Sequence, residues 1–400
     1  MRSDSRYSVP AACKAVVAGH ICLDIIPRIF QDHIEFVPNS LLETGPAVLS
    51  TGGAVSNTGL ALHKLGIATR LMGKVGEDSF GATVRDIIAG YDPALSAGMN
   101  VAKGEATSFT IIIGTPGQDR MFLHCPGCND TFGTGDIDYE LLGRTALFHF
   151  GYPPVMRRLI ENDGRELVEL LRRAKETGVT TSLDMCMPDP KGFSGSVDWP
   201  KILRVVLPYV DIYLPSLEET LFMLGPKVAG DAAGLNAGSV APRLLAGVSS
   251  ILLGMGPSIV GLKLGAMGLY LRSAHAEAWQ SVGRARPTDS DPWFDREIWS
   301  PCFRVKVVGT TGSGDATIAG FLAAYLRGRT PEDCVTAACA VGACNVEAAD
   351  ALSSLLSWDQ TLERLRDGWP RADLVITDGG WRQCPRTGIL RGPGDRSPKD

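Results

Sequence analysis

A recurring alternation constrains this chain more than any other feature: short apolar runs are separated by longer segments that carry an apolar stripe at helical spacing. Val16 to Ala18 read as a strand, Asn57 to Leu65 as a helix stopped by Gly66, and Ala68 to Met72 as the next strand. Arg165 to Thr177 place Leu167, Leu170, Leu171 and Ala174 on one helical face, Gly178 ends the helix, and Val179 to Leu183 follow as a strand. Further strands are predicted at Val210 to Leu214, Ile259 to Leu264 and Val305 to Val308, with closing helices at Ala316 to Leu326 and Cys334 to Ala349. This is the pattern of an α/β protein whose parallel sheet is crossed by helices.

Two regions depart from that rhythm. Ile25 to Val48 and Thr107 to His124 alternate apolar and polar residues, which predicts β segments outside the main sheet, forming a small lid. Ser273 to Pro301, rich in Pro, Trp and charge, reads as an ordered surface loop or ribbon. Residues 14–375 are expected to form one domain, with 1–13 and 378–400 as loose termini.

Composition narrows the function classes. The 400 residues are 44% hydrophobic and 21% charged, an ordinary globular balance, and a net charge of -5 gives no electrostatic reason to expect nucleic acid or an anionic membrane as partner. Small metabolites fit better. Of ten cysteines only Cys125 and Cys128 form a C-x-x-C, and no second pair completes a four-ligand zinc site. The first ten residues, MRSDSRYSVP, lack the apolar core of a secretory signal, no run reaches the length of a membrane span, and a reducing cytoplasm is the default expectation.

The stretch "VVGTTGSGDATIAGF", from Val307, sets a glycine-rich turn before a small-residue helix. It is not a lysine-type phosphate loop, because Asp315 and Ala316 follow Gly314 where Lys and Ser or Thr belong. Nor is it a dinucleotide fingerprint, because Thr317 stands where the third glycine belongs. A turn of small residues opening a helix still aims several backbone N–H groups and the positive helix end at one spot. Gly312, Ser313 and Gly314 would thus form an anion hole, with Asp315 at its edge placed to take a proton from an attacking alcohol. The plain alternative is a turn followed by a helix-start aspartate.

"GHICLD" near Gly19, "TGGAVSNTGLALHKLG" from Thr51, "GKVGEDSFG" from Gly73, "LPSLEE" from Leu214, "LKLGAMG" from Leu262 and "GTTGSGD" occur in a telling order. Together they resemble the ribokinase-like, or phosphofructokinase-B type, family of carbohydrate kinases, over residues 14 to about 350. The resemblance implies a three-layer α/β sandwich with a mostly parallel central sheet and a small β lid. It also implies ATP and magnesium as cofactors, a small sugar or related polyol as acceptor, and a homodimer paired through the lid.

By the same resemblance, Asp315 is the catalytic base and the turn before it stabilises the transferring phosphoryl group. Asp24, Gly52, Gly53 and Asn57 hold the sugar, although a strand-end aspartate and a helix cap explain Asp24 and Asn57 equally simply. Glu219 orders magnesium through water, or else pairs with Ser216 in a capping box. Lys263, Gly265, Gly268 and Asn345 contact the nucleotide, Lys263 having a surface lysine as its alternative. Relatives often carry Asp where Gly309 stands, which puts a monovalent-cation requirement in doubt. Two rivals stay open: a nucleoside kinase, favoured by an aromatic platform from Phe30, Phe36 or Phe109, and a catalytically silent sugar-binding homologue.

Overall fold

The computed structural model describes residues 13–34, 37–115, 121–229, 240–374, 376 and 379–396. Fifteen strands run through these residues: β1 Ala15–Gly19, β2 Cys22–Arg28, β3 Gly45–Gly52, β4 Thr69–Gly76, β5 Met99–Ala102, β6 Phe109–Ile113, β7 Met121–Cys125, β8 Leu147–Gly151, β9 Thr180–Asp184, β10 Ile212–Tyr213, β11 Ile259–Lys263, β12 Leu269–Ser273, β13 Glu297–Ser300, β14 Arg382–Gln383 and β15 Leu390–Arg391. Eleven form one sheet in the order β14-β15-β13-β12-β11-β10-β9-β8-β1-β4-β5. The pairs from β5 to β11 are parallel, and those from β11 through β12, β13 and β15 to β14 are antiparallel.

All five residues of β1 are buried, and they divide between two cores by the two-residue period of a strand. Val17 packs with Leu60, Leu71, Phe321 and Val335 on one face. Val16 and Ala18 pack with Phe148, Phe150, Leu170 and Leu203 on the other. A sheet covered on both faces is the middle layer of the expected sandwich. On the first face lie the helices Ser313–Tyr325 and Pro331–Asn345, which approach so closely at Gly320 that an added Cβ would lie 2.6 Å from the Ala337 carbonyl oxygen.

The lid expected near 25–48 and 107–124 is a separate four-stranded sheet in the order β3-β2-β6-β7. Two other expectations need correction. Val305 to Val308 form no strand; they run as a loop with Val307 and Val308 exposed. The sheet position goes instead to β13, inside the segment read as a surface ribbon, with Ile298 and Trp299 buried. The chain from 379 is not loose either: β14 and β15 extend the sheet, and Asp395 pairs with Arg296, whose side chain is 3% exposed. Residues 1–12, Phe36 and Arg120 lie outside the described residues.

Candidate active site

The helix Ser313–Tyr325 begins after Gly312, whose φ of 71° is left-handed and whose added Cβ would sit 2.6 Å from the Ala351 Cβ. Asp315 falls in its first turn and is 1% exposed. Its Oδ2 accepts from Asn57 Nδ2 at 3.1 Å and from the Tyr152 hydroxyl at 2.7 Å, and its Oδ1 accepts from Thr58 Oγ1 at 2.9 Å. Asn57 and Thr58 come from the helix Ala54–Lys64, entered through Gly53 at φ 87°. Tyr152 stands just past β8 in a left-handed conformation, φ 68°. Burial first, then the charges of Asp315 and Asp184, push its phenol well above the usual range, so it stays a donor. Tyr152 and Thr58 escaped the motif reading; the only sequence signal for Tyr152 is Pro-Pro directly after a strand-end Gly-Tyr.

A cavity of about 780 Å³ opens beside this turn, lined by Gly312, Ser313, Gly314, Lys263, Gly265 and Gly268 among others. Lys263 ends β11 and is no surface lysine. Its ammonium lies 2.7 Å from Asp184 Oδ1 and 3.4 Å from the place a Cβ on Gly314 would take. Burial lowers the lysine's pKa, but Asp184, Glu219 and Asp315 outweigh that and hold it above its ordinary value. Asp184, at the end of β9, is driven upward by burial, with Lys263 opposing and Glu219 and Asp315 reinforcing. It too was missed by the sequence reading.

Glu219 realises the capping alternative while still lining the cavity: its Oε2 accepts from the Ser216 amide at 2.7 Å, and Ser216 Oγ accepts from the Glu219 amide at 3.1 Å. Gly265 and Gly268 turn the chain between β11 and β12 with φ of 56° and 95°, and a Cβ on Gly268 would lie 2.0 Å from the Ser300 carbonyl oxygen. Asn345 is not brought to the cavity. It is buried and donates to the Ala351 carbonyl at 2.7 Å, whereas its neighbours Gly342, Ala343 and Val346 line the wall.

A second cavity, about 1290 Å³, lies between the small sheet and the segment around residues 186–194. Tyr152 lines both cavities, so Asp315, bonded to it, stands at their junction. Asp24, on β2, is the sheet neighbour of Thr110, which lines the cavity, and is not itself among the described lining residues. Gly52 is required there: a Cβ would lie 2.4 Å from Asp24 Oδ2. A Cβ on Gly53 would meet His20 Nδ1 at 2.5 Å. Burial raises the Asp24 carboxyl to about 6, with hydrogen bonds from Cys22 and Thr110 pulling the other way. Asn129, of the "GCN" stretch, ties this region to the end of β1, donating to the Ile21 carbonyl at 2.8 Å.

A mostly parallel sheet thus sets a glycine turn and the buried Asp315 beside one cavity and within a hydrogen bond of a residue that lines a second. Residues 14–279 and 295–358 match the model of the pfkB family of carbohydrate kinases, and the chain belongs to that family. An uncharacterized sugar kinase of Archaeoglobus fulgidus is 28% identical over 269 residues, 66% of this chain and 86% of that protein. The ribokinase of Arabidopsis thaliana, solved with ribose and ATP, superposes with a TM-score of 0.66 at 19% identity, covering 89% of this chain and 99% of that one. The nucleoside kinase of Methanocaldococcus jannaschii gives 0.61 at 18% identity, over 89% and 98% of the two chains. At such identities these two structures are likenesses of fold. Among the described residues no helix is long and apolar enough to cross a membrane.

Proposed function

We propose that this chain transfers the γ-phosphoryl group of ATP to a hydroxyl of a small sugar or sugar-derived polyol, through a domain of residues 14–375 closed at its sheet edge by 379–396. ATP would occupy the 780 Å³ cavity and the acceptor the larger one. The acceptor hydroxyl gives its proton to Asp315, its oxygen forms the new bond to Pγ, and the Pγ–O bond to the β-phosphate breaks as ADP leaves. The Gly312–Gly314 amides and the Lys263 ammonium stabilise charge on the moving group. The observation that carries this reading is Asp315 bonded to the one residue, Tyr152, that lines both cavities. Asp24, Gly52, Gly53 and Asn57 do not themselves line the larger cavity among the described residues; they would hold the acceptor through Thr110, His20 and Asp315, and Gly265, Gly268 and, through its helix, Asn345 would shape the nucleotide site.

Among the described residues no group of three or more His, Cys, Asp or Glu is placed to hold a metal, while one Asp184 oxygen is buried without a partner. That donor set suits a magnesium ion arriving on the nucleotide phosphates, with waters filling its shell and Glu219 and Asp184 as outer contacts. Bound there, it would neutralise phosphate charge. Gly309 offers no carboxylate, and no monovalent cation is included.

A second reading is favoured by one feature. Phe109, Phe122 and Phe193 line the acceptor cavity, and such walls suit the base of a nucleoside. Phe30 is not there; it is 57% exposed. The experiment that decides is ADP release in the presence of ribose, fructose or adenosine: release that depends on the added alcohol is expected. Release that ignores it, or no release at all, would leave a silent homologue as the better description.

The raised Asp24 carboxyl has a consequence for stability and pH. Folding favours its protonated form, so its contribution is full below the unfolded pKa and lost as pH rises through about 6. At pH 7.5 Asp24→Asn is therefore expected to raise the unfolding free energy of the ligand-free protein by about 1–3 kcal/mol, measured by urea titration, while weakening acceptor binding. In the unaltered protein the acceptor KM should fall as pH rises through about 6. A less stable Asn variant would show that the carboxylate is better solvated than its burial implies.

Val48 and Leu49 of β3, an edge strand of the small sheet, are exposed. A second copy of the chain is proposed to pair there. Light scattering should give twice the chain mass, and Leu49→Glu should halve it. With ten free cysteines, a reducing cytoplasm is the proposed location.

A further inference from the structure

His20 follows β1 directly and lines the acceptor cavity beside Tyr152. Its backbone is fixed on both sides: the amide donates to the Gly151 carbonyl, and the carbonyl accepts from the Val55 amide, each at 3.2 Å. The ring is stacked on Tyr152 with centroids 6.3 Å apart and lies 5.3 Å from the ring of His124. Only 4% of the residue is exposed, yet among the described residues neither ring nitrogen has a hydrogen-bond partner. A buried polar atom left so costs about 1–3 kcal/mol. Nδ1 packs against Gly53, whose added Cβ would lie 2.5 Å from it, so on a ring that lines the cavity assigned to the acceptor the atom left for a ligand to meet is Nε2.

The kind of ligand follows from charge. Burial first, and His124 second, hold His20 near 3, so at neutral pH the imidazole is uncharged and offers one donor and one acceptor. A hydroxyl, which donates and accepts, can meet Nε2 in either tautomer, whereas a phosphate or carboxylate gains no ion pair from an uncharged ring. His124, likewise lowered by burial, is engaged through Nδ1 with Thr110 Oγ1 at 3.0 Å. Elsewhere on the described lining, the carboxylates of Asp130 and Asp189 outnumber the one guanidinium, Arg157, which is spread over the Phe193 ring at 4.5 Å.

We propose that His20 reads a hydroxyl of the acceptor, and that the carboxylates on the cavity wall make that acceptor a free sugar or nucleoside rather than a sugar phosphate or sugar acid. This rests on the kinase reading above and adds to it a residue and a charge class. The test compares ribose, fructose and adenosine with ribose 5-phosphate, fructose 6-phosphate and gluconate in the unaltered enzyme, at fixed ATP. At least one neutral acceptor should exceed every charged one in kcat/KM by about 100-fold. For that acceptor, His20→Phe, which keeps a ring without the nitrogens, should raise KM about 10- to 100-fold and leave the KM for ATP within twofold. His20→Gln should recover part of the loss.

A preference for a charged acceptor would overturn the inference and leave the kinase standing. So would an unchanged acceptor KM in both folded variants. Absence of phosphorylation of all six compounds would overturn the kinase reading, and this inference with it. If His20→Phe does not fold, the acceptor comparison and His20→Gln still decide.

Discussion

Asp184→Asn is expected to lower the unfolding free energy by about 3–5 kcal/mol, because it leaves the Lys263 ammonium buried without its partner. The pair is 2.7 Å apart with side chains 11% and 1% exposed, so water screens little of the loss. Lys263→Met should cost about the same for the mirror reason, stranding Asp184 beside Glu219 and Asp315. Combining the two changes removes both charges and should restore most of the stability. Urea unfolding of the four proteins measures this directly, and the two costs adding within about 0.5 kcal/mol would show that the pair is not coupled. The effect reaches function as well. A cation close to a helix start is locally unfavourable; its place beside Gly314 makes sense as a counter-charge to phosphate, held by Asp184.

Asp315→Asn should reduce kcat by about 10²–10⁴-fold, the range that a positioned general base supplies. Substrate binding should hardly change, with affinities for ATP and acceptor within threefold by calorimetry, because Asn keeps the shape and one acceptor oxygen. All three partners of Asp315 are donors, from Asn57, Thr58 and Tyr152, so the amide nitrogen of the variant faces donors and some stability is lost. Tyr152→Phe removes one of the three bonds and should act in the same direction with a smaller effect. Near-normal turnover in Asp315→Asn would mean that another group accepts the proton.

Much of the fold was legible because burial imposes period on sequence. The stripe Leu167, Leu170, Leu171, Ala174 and the alternation in β6 each report the face they cover. Val305 to Val308 misled for a physical reason: Val305 and Val307 wall the 780 Å³ cavity and do not enter the sheet. The true strand, β13, was masked by charge. Glu297 accepts from the buried Tyr270 hydroxyl at 2.7 Å, and next to it Arg296 pairs with Glu332 and Asp395. Those pairings are long-range, and the same ion pair explains how a tail rich in Gly, Pro and Arg is ordered.

The site was legible where its residues fall in motifs. Asn57 and Asp315, 258 positions apart and each singled out by a motif, meet in a hydrogen bond. Asp184 and Tyr152 fall outside any motif quoted above. Their common signal is position, each at or just after the C-terminal end of a parallel strand, the edge where α/β proteins bind ligands. Asn345 failed in the opposite way. The resemblance implied a nucleotide contact there, and the fold uses its amide to hold the Ala351 carbonyl.

The central claim is transfer of a phosphoryl group to an alcohol. Phosphorus NMR of the unaltered protein with magnesium ATP and a neutral sugar or nucleoside tests it without intermediaries. Growth of a phosphomonoester signal in equal amount to ADP, with no free phosphate, is the expected result. ADP accompanied only by inorganic phosphate, or ATP left intact across sugars and nucleosides alike, would contradict it.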